Sequence, residues 1–500
     1  MTRTVQHGSG SADVATFASV DPRTGEVVDH HPVHVASDVA AAVDRARRAA
    51  AWWGGLGYSQ RRRRLRAWRA LLARRIDELA ALISAETDKP RDDARLEIVL
   101  VVDHLDWAAR NAEKVLGKRK VAAGLLMVNE AATLEYQPHG VVGVIGPWNY
   151  PAFTPMGSIG YALAAGNAVV FKPSELTPGV GAWLADSLAE VVGEHPVLQV
   201  VTGFGETGAA LCRAGVGKLS FTGSTAIARK VMAACAESLT PVLIECGGKD
   251  ALLVDADADL DAAADAAVWG SMSNAGQTCI GVERVYVVDS VAEALTERLE
   301  ARARRLRPGA EPGADFGPIT MPGQLDIIRV HLTDALDGGA RALVGGAESI
   351  RPPYVEPVVL VDVPADSTAL TEETFGPTVT VTTVGDLDDA VARVNEGRYG
   401  LGAAVFSSRR GEEIAAALHC GMVSVNGVIS FAAVPSLPFG GVGDSGFGRI
   451  HGADGLREFA RPKAVTRRRF RPPLRLLTFR RSPGAVGLLL RVIRLRYGRG

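Results

Sequence analysis

Five short apolar runs between residues 141 and 245, separated by helix-like stretches, constrain the fold of this chain more than any other feature. They fall at 141–145, 168–172, 197–202, 218–222 and 241–245. Strands alternating with helical segments at this spacing make a parallel sheet with helices on its faces. A second series at 284–288, 358–361, 378–383, 403–406 and 422–426 reads as a second sheet region. The expected class is therefore α/β. Upstream, Ser37-Asp38-Val39 reads as the cap of an Ala-rich amphipathic helix reaching Trp52 and Trp53, and a second helical stretch covers residues 60–87. That stretch opens on Arg61-Arg62-Arg63-Arg64, but Leu65, Trp68, Leu71 and Leu72 follow at helical spacing. The arginines are thus expected on a solvated helix face, not on a nucleic-acid surface.

At 500 residues the chain exceeds one ordinary core, and length alone suggests roughly two to four domains. Cys212, Cys235, Cys246, Cys279 and Cys420 are scattered without CxxC spacing. Neither a metal site nor a disulfide framework is expected, and a reducing cytoplasm fits. Residues 1–12 hold no apolar core of an export signal, and no long uninterrupted apolar stretch occurs, so no spanning helix is expected. The net charge of -1 conceals an asymmetry. Residues 461–500 hold 13 Lys or Arg and no acid, which leaves 42 basic against 56 acidic residues, or -14, elsewhere. The tail is a separate electrostatic object.

Several stretches carry groups suited to chemistry. Cys279 lies among small and polar residues, Asn274-Ala275-Gly276-Gln277-Thr278, just before an apolar run, so a loop-to-strand junction would present its sulfur. The alternative is a buried structural thiol. Glu245 ends an apolar run beside Gly247 and Gly248, where desolvation would raise its pKa toward that of a general base; pairing with Lys249 is the alternative. Asn149, between Trp148 and Tyr150, offers a neutral amide able to donate to an oxyanion, or it is a turn residue. For a dinucleotide, Gly203-Phe204-Gly205-Glu206-Thr207-Gly208 supplies a tight turn without the acidic residue that usually follows. Phe221-Thr222-Gly223-Ser224 ends a strand at a helix N-terminus, a natural phosphate site. Lys172, Ser174 and Glu175 close the run at 168–172, where a cation and an acid suit sugar hydroxyls or form a surface pair.

Taken in order, these pieces resemble the NAD(P)-dependent aldehyde dehydrogenase superfamily, over about residues 22–465. The resemblance rests on Pro147-Trp148-Asn149-Tyr150-Pro151, the block 166–175, Phe221-Thr222-Gly223-Ser224, and Glu245 with Gly247-Gly248-Lys249. It also rests on Gly276-Gln277-Thr278-Cys279, Glu372-Glu373-Thr374-Phe375-Gly376-Pro377 and the glycine-rich block 438–449. Bacterial succinate-semialdehyde dehydrogenase-like and broad aldehyde dehydrogenases share several of these forms. The resemblance implies Cys279 as nucleophile, Asn149 with the Cys279 amide as oxyanion hole, and Glu245 as general base. It implies NAD, with NADP as a second option, held by Trp148, Lys172, Ser174, Glu175, Gly205, Phe221, Gly223, Ser224, Glu373 and Phe375. Tyr150, Thr278, Ile280 and Phe439 would border the aldehyde. Cys246 stands where Leu is common and Ala228 where Gly is common, and neither change removes a catalytic group.

The implied fold is a Rossmann-like cofactor domain (20–120 and 138–245), a second α/β catalytic domain (246–444), and bridging elements for a homodimer or homotetramer (121–137 and 445–466). The basic apolar tail (467–500) remains. Its run from Val486 to Arg496 is too short to span a bilayer, and it suits either an interfacial helix at the inner membrane face or packing on a neighbouring subunit. The expected activity is oxidation of an aldehyde to its carboxylic acid. A CoA-acylating or esterase-type cysteine enzyme, and a silent binding protein on this fold, are the alternatives.

Overall fold

The computed structural model describes residues 15–311, 313–471 and 476–498. The segment 1–12, read above for an export signal, and Leu474 of the tail lie outside the described residues. The chain divides into two compact units, one of residues up to 115 together with 138–461, the other of residues 116–137 together with 462 onward.

In the larger unit, a six-stranded sheet runs in the order Gly446–Phe447, Val242–Glu245, Lys218–Thr222, Val141–Ile145, Ala168–Lys172, Leu198–Val200. All its pairings are parallel except that of Gly446–Phe447. Sequence order reverses on either side of Val141–Ile145, the arrangement that opens a ligand crevice beyond the strands' carboxyl ends. Four of the five expected strands are present to within one residue, while the run at 197–202 is shortened to Leu198–Val200.

The seven-stranded sheet has the order Arg341–Val344, Val358–Val361, Thr378–Val384, Val282–Val288, Asp250–Val254, Gly402–Phe406, Met422–Val425, parallel but for its first strand. Its residues alternate between two cores. Leu252, Val254, Val285 and Val287 face one, and Ala251, Leu253, Tyr286 and Val405 face the other. Asp250–Val254 escaped the sequence reading because it begins on a charged residue and follows directly on the Gly247-Gly248 turn, although all five of its residues are buried. The chain crosses from the first sheet to the second over residues 246–249.

Three helical expectations need correction. The first helix is Ala36–Gly55 with Val35 at its N-cap, so Ser37 lies inside it; Asp38 Oδ2 instead accepts the Val35 N–H at 3.0 Å. The stretch at 60–87 is two helices, Gly57–Arg74 and Ile76–Thr87, broken at Arg75 (φ -108°, ψ 25°). Arg61 is buried rather than solvated, donating to Gly54 O at 3.2 Å and Ala164 O at 3.4 Å. Its guanidinium closes one backbone carbonyl at the end of each of two helices, Ala36–Gly55 and Phe153–Ala165, a role with no local sequence signature.

The smaller unit contributes Arg119–Val121 and most of Glu130–Pro138 and Ala460–Arg468, which form a three-stranded sheet. Arg468 Nε lies 3.3 Å from Glu130 Oε1. Its last element is the helix Ala485–Tyr497. Among the described residues, no helix is long and apolar enough to cross a membrane.

Candidate active site

Strand register brings the selected stretches to one sheet edge. Ile145 pairs with Lys172 and with Phe221, and Thr222 pairs with Glu245. The chain therefore leaves the sheet side by side at Gly146, Pro173, Gly223 and Cys246, at the carboxyl end where open α/β sheets take ligands.

Cys279 reaches this edge from the second sheet. After the helix Leu260–Met272 the backbone passes through Asn274, Ala275 and Gly276 at φ 53°, 56° and 71° before the strand Val282–Val288. Gly276 has no substitute there, because a Cβ would collide with the backbone of Gly376 and Pro377. Buried Gln277 pins the loop, donating to Asn274 O at 2.9 Å and Pro318 O at 3.2 Å and accepting from Thr320 N at 2.8 Å.

Asn149 is buried, and its Nδ2 donates to Gln277 O at 2.9 Å. A side-chain amide nitrogen carries two hydrogens, so a second remains for an oxyanion. The Asn149 carbonyl accepts from Lys89 Nζ at 2.8 Å and Asn274 Nδ2 at 3.2 Å. Sequence reasoning missed Lys89 and Glu97, a fully buried pair at 2.8 Å. Glu97 Oε1 also accepts from Ala152 N at 2.8 Å and Phe153 N at 3.0 Å, so the pair fixes the turn that carries Asn149. The available signal was an acid at a stripe position of a helix whose Ala94, Ile98, Val101 and Leu105 are buried.

Glu245 is buried, and Thr222 Oγ1 donates to its Oε2 at 3.3 Å. Burial pushes its carboxyl up to about 7, against the pull of that hydrogen bond. Burial, and then the Glu245, Glu373 and Asp250 carboxyls, hold the Cys279 thiol well above its ordinary range. Cys279 therefore rests as a thiol.

Cys279 lines two cavities. One, of about 360 Å³, is bordered by Tyr150, Thr278, Ile280 and Phe439, the four expected substrate residues, and Tyr150 OH lies 3.0 Å from Thr278 Oγ1. The other, of about 590 Å³, is bordered by Trp148, Gly223, Ser224, Glu373 and Phe375. The remaining expected cofactor residues lie outside that lining. Lys172 Nζ donates to Pro173 O at 2.9 Å and sits 3.8 Å from Glu175 Oε2, and Ser174 Oγ accepts from Leu176 N at 3.2 Å. Gly205 opens the helix Gly205–Arg213, and the Phe221 ring fills the space a Cβ on Gly223 would need.

The larger cavity fits a nicotinamide dinucleotide. Its helix Thr225–Ala236 begins at Ser224, and the first intrahelical bond is Ile227 N to Ser224 O at 3.1 Å. The Thr225 and Ala226 amides precede that bond, and such N-terminal amides suit phosphate oxygens. Trp148 and Phe375 set their rings edge to face at 5.7 Å and 89°, an apolar wall for a flat ring. Phe375 is held at φ 53° by Glu283, whose carboxylate accepts from Thr374 N and Phe375 N at 3.0 Å and pairs with buried Lys249. Glu373 Oε1 accepts from Gly248 N at 3.2 Å, and its carboxyl fills the space a Cβ on Gly247 would need. Burial, then the Glu283 charge, push Glu373 up to about 8. Cys246 is a buried thiol pushed up to about 11, chiefly by that burial.

The aldehyde dehydrogenase family model matches residues 9–465. A Methylomonas sp protein named 4,4'-diapolycopene aldehyde oxidase is 37% identical over 464 residues, 92% of this chain and 87% of that protein. A Sinorhizobium fredii protein named "Probable succinate-semialdehyde dehydrogenase [NADP(+)]" is 36% identical over 466 residues, 91% of this chain and 93% of that protein. Among solved structures, an aldehyde dehydrogenase from Brucella melitensis biovar abortus 2308 superposes with a TM-score of 0.87 at 32% identity, covering 91% of this chain and 94% of that one. With a thiol at the meeting point of two cavities and a family match over nearly its whole length, the chain belongs to the aldehyde dehydrogenase family and is an NAD(P)-dependent aldehyde-oxidising enzyme.

Proposed function

We propose that Cys279 is the nucleophile, Glu245 the general base, and Asn149 with the Cys279 amide the oxyanion hole. One observation carries this reading: Cys279 borders both cavities, so an aldehyde entering through one would meet a nicotinamide lying in the other. The thiol proton leaves to a base, and the sulfur adds to the aldehyde carbon. The second Asn149 hydrogen and the Cys279 N–H carry the charge that grows on oxygen. A bound oxidised nicotinamide, held by Trp148 and Phe375, would supply the two-electron acceptor for the hydride on that carbon, and Cys279 would then carry the acyl group as a thioester. Glu245 then removes a proton from water; the water oxygen bonds the acyl carbon, the C–S bond breaks, and the acid leaves. The hydrolytic ending separates this reading from a CoA-acylating one, since a base near 7 suits the activation of water.

The cofactor assignment joins the residues that border the larger cavity with those the family resemblance implies. Ser224 and Gly223 receive the diphosphate, Trp148 and Phe375 flank the nicotinamide, and Glu373 takes its ribose after leaving Gly248. Lys172, Ser174, Glu175, Gly205 and Phe221 form the adenosine end, with Lys172 and Glu175 on the ribose hydroxyls. The six-stranded sheet with residues 20–120 and 138–245 makes the cofactor domain, and residues 246–444 make the catalytic one. Residues 121–137 and 445–466 serve assembly into a homodimer or homotetramer; Leu125, Leu126 and Val128 are exposed apolar side chains there. All five cysteines are free, in keeping with the cytoplasm, and the tail helix suits a peripheral place on the inner membrane face. The printed names of the relatives span a small carboxylated aldehyde and a large carotenoid-type one.

The test is Cys279→Ala. Aldehyde oxidation should vanish while NAD binding, read by fluorescence titration, stays within about twofold, because the sulfur serves covalent chemistry and not the nucleotide. Undiminished turnover would remove Cys279 from the mechanism.

A further inference from the structure

The cavity that ends at Cys279 is apolar almost throughout, with Leu100, Phe153, Ile429 and Phe439 in its walls. Three charged residues border it: Lys89, Asp93 and Glu97. Lys89 and Glu97 are spent on each other, their side chains 1% and 0% exposed, and Lys89 also donates to the Asn149 carbonyl. A third partner for Lys89 would have to break the contact that fixes Asn149. Asp93 forms no ion pair or side-chain hydrogen bond among the described residues. Burial raises its pKa, and the neighbouring Lys89 charge opposes that rise. No uncommitted cation therefore faces the cavity, and the one charged side chain on its lining without an ion pair is an acid. A carboxylate brought here would lose most of its hydration and meet no free cation, with only neutral groups such as the Thr154, Ser273 and Ser430 hydroxyls to donate to it, a large cost for a charged group.

The apolar wall does not stop at the cavity's mouth. Leu96 is 62% exposed, Val99 50% and Trp269 54%, and all three border the cavity. Leu96, Val99 and Leu100 stand at i, i+3 and i+4 on the helix Arg91–Leu116, so they present one continuous stripe. At about 360 Å³ the cavity lies near the small end of small-molecule sites, so a long chain would fill it and run on over that rim.

We propose that the preferred substrates are aldehydes with a long, uncharged, apolar tail lying along the Leu96, Val99 and Trp269 rim, and that short aldehydes ending in a carboxylate are poor substrates. The proposal rests on the reading of Cys279 as nucleophile. It takes the chain away from the succinate-semialdehyde end of its relatives, on the ground that the cavity supplies no free cation.

The test uses the full-length protein with NAD and with NADP, and compares kcat/KM for butanal, hexanal, octanal, decanal and succinate semialdehyde. Each added methylene should raise kcat/KM by about fourfold until the rim is covered, the factor that burial of one methylene gives. Succinate semialdehyde should fall at least about tenfold below butanal. Succinate semialdehyde equal to or better than octanal would overturn the proposal while leaving the dehydrogenase reading intact. No turnover of any aldehyde by folded, nucleotide-binding protein would instead overturn the nucleophile reading on which it rests.

Two variants separate the parts. Replacing two of the three exposed rim residues, Leu96→Ser with Val99→Ser, should lower the decanal-to-butanal ratio of kcat/KM by roughly tenfold; an unchanged ratio would overturn the rim. Asp93→Lys should raise the succinate-semialdehyde-to-butanal ratio by supplying the missing cation, and a ratio that stays put would overturn the charge argument. Circular dichroism and melting temperature establish folding for each variant.

Discussion

The proposed base, Glu245, should show itself in the enzyme's pH dependence. The carboxyl is raised to about 7 by burial, and its charge helps to hold the thiol up. A base works deprotonated, so the hydrolytic step should rise with pH up to about 7 and level off above it, falling roughly tenfold per unit well below. Glu245→Gln keeps the shape and removes the base. A burst of reduced cofactor should survive in stopped flow while steady turnover drops by roughly 100-fold or more and loses the limb near 7. Normal steady turnover would assign water activation to another group. At the proposed adenosine end, Glu175 is 42% exposed at its side chain and 3.8 Å from Lys172. Its carboxylate can accept from a ribose 2′-hydroxyl and repels a 2′-phosphate. NAD should therefore have the higher kcat/KM, and Glu175→Gln should shift the ratio toward NADP. A preference for NADP that Glu175→Gln leaves unmoved would place the discriminator elsewhere.

Elements, more than single side chains, decide whether those residues meet. The loop from Ser273 to Cys279 holds three consecutive residues at positive φ, two of them not glycine, and such strain persists only where surroundings enforce it. Gln277 and the Gly376-Pro377 turn are those surroundings. Gly276→Ala adds a Cβ at φ 71° against the Gly376 carbonyl, so the loop must move. The expected cost is about 2 kcal/mol or more of stability, read by denaturant unfolding, with a loss of activity larger than stability alone explains. An active, equally stable Gly276→Ala protein would mean that the loop does not set the Cys279 position. The stretches that carry Glu245, Asn149 and Cys279 to one place could be picked out in sequence because a glycine or proline lies within two positions of each, where local chemistry is constrained. Lys89, Glu97 and Glu283 were not, because a buried ion pair is made by residues 8 to 34 positions apart whose local sequence is ordinary. Asp250 was illegible too, because nothing around it in sequence marks a carboxyl that the fold buries completely.

At the scale of the whole molecule, the parallel sheets were legible from period and spacing, since strands buried on both faces are continuous apolar runs. The antiparallel pieces, Arg119–Val121, Arg341–Val344 and Thr16–Val20 with Val27–Pro32, were not, because short exposed strands carry mixed residues that read as loops. The tail was legible as a charge object, and its expected apolar run lies within the helix Ala485–Tyr497. Leu488, Leu490, Val492 and Leu495 are exposed along it, together with Arg491, Arg494 and Arg496. An exposed helix of this kind, 13 residues long, suits the plane of a membrane interface, and each basic residue near an anionic surface adds about 1 kcal/mol. A neighbouring subunit is the competing partner, because the rest of the chain carries -14. The full-length protein should therefore sediment with vesicles of anionic lipid at low salt and remain in the supernatant with neutral ones. Binding should fall steeply as salt rises past the point where charges are screened within a few ångströms, and truncation after Val465 should abolish it. Should the full-length protein ignore anionic vesicles at low salt while truncation changes its oligomeric mass, the tail is an assembly element and the membrane reading fails.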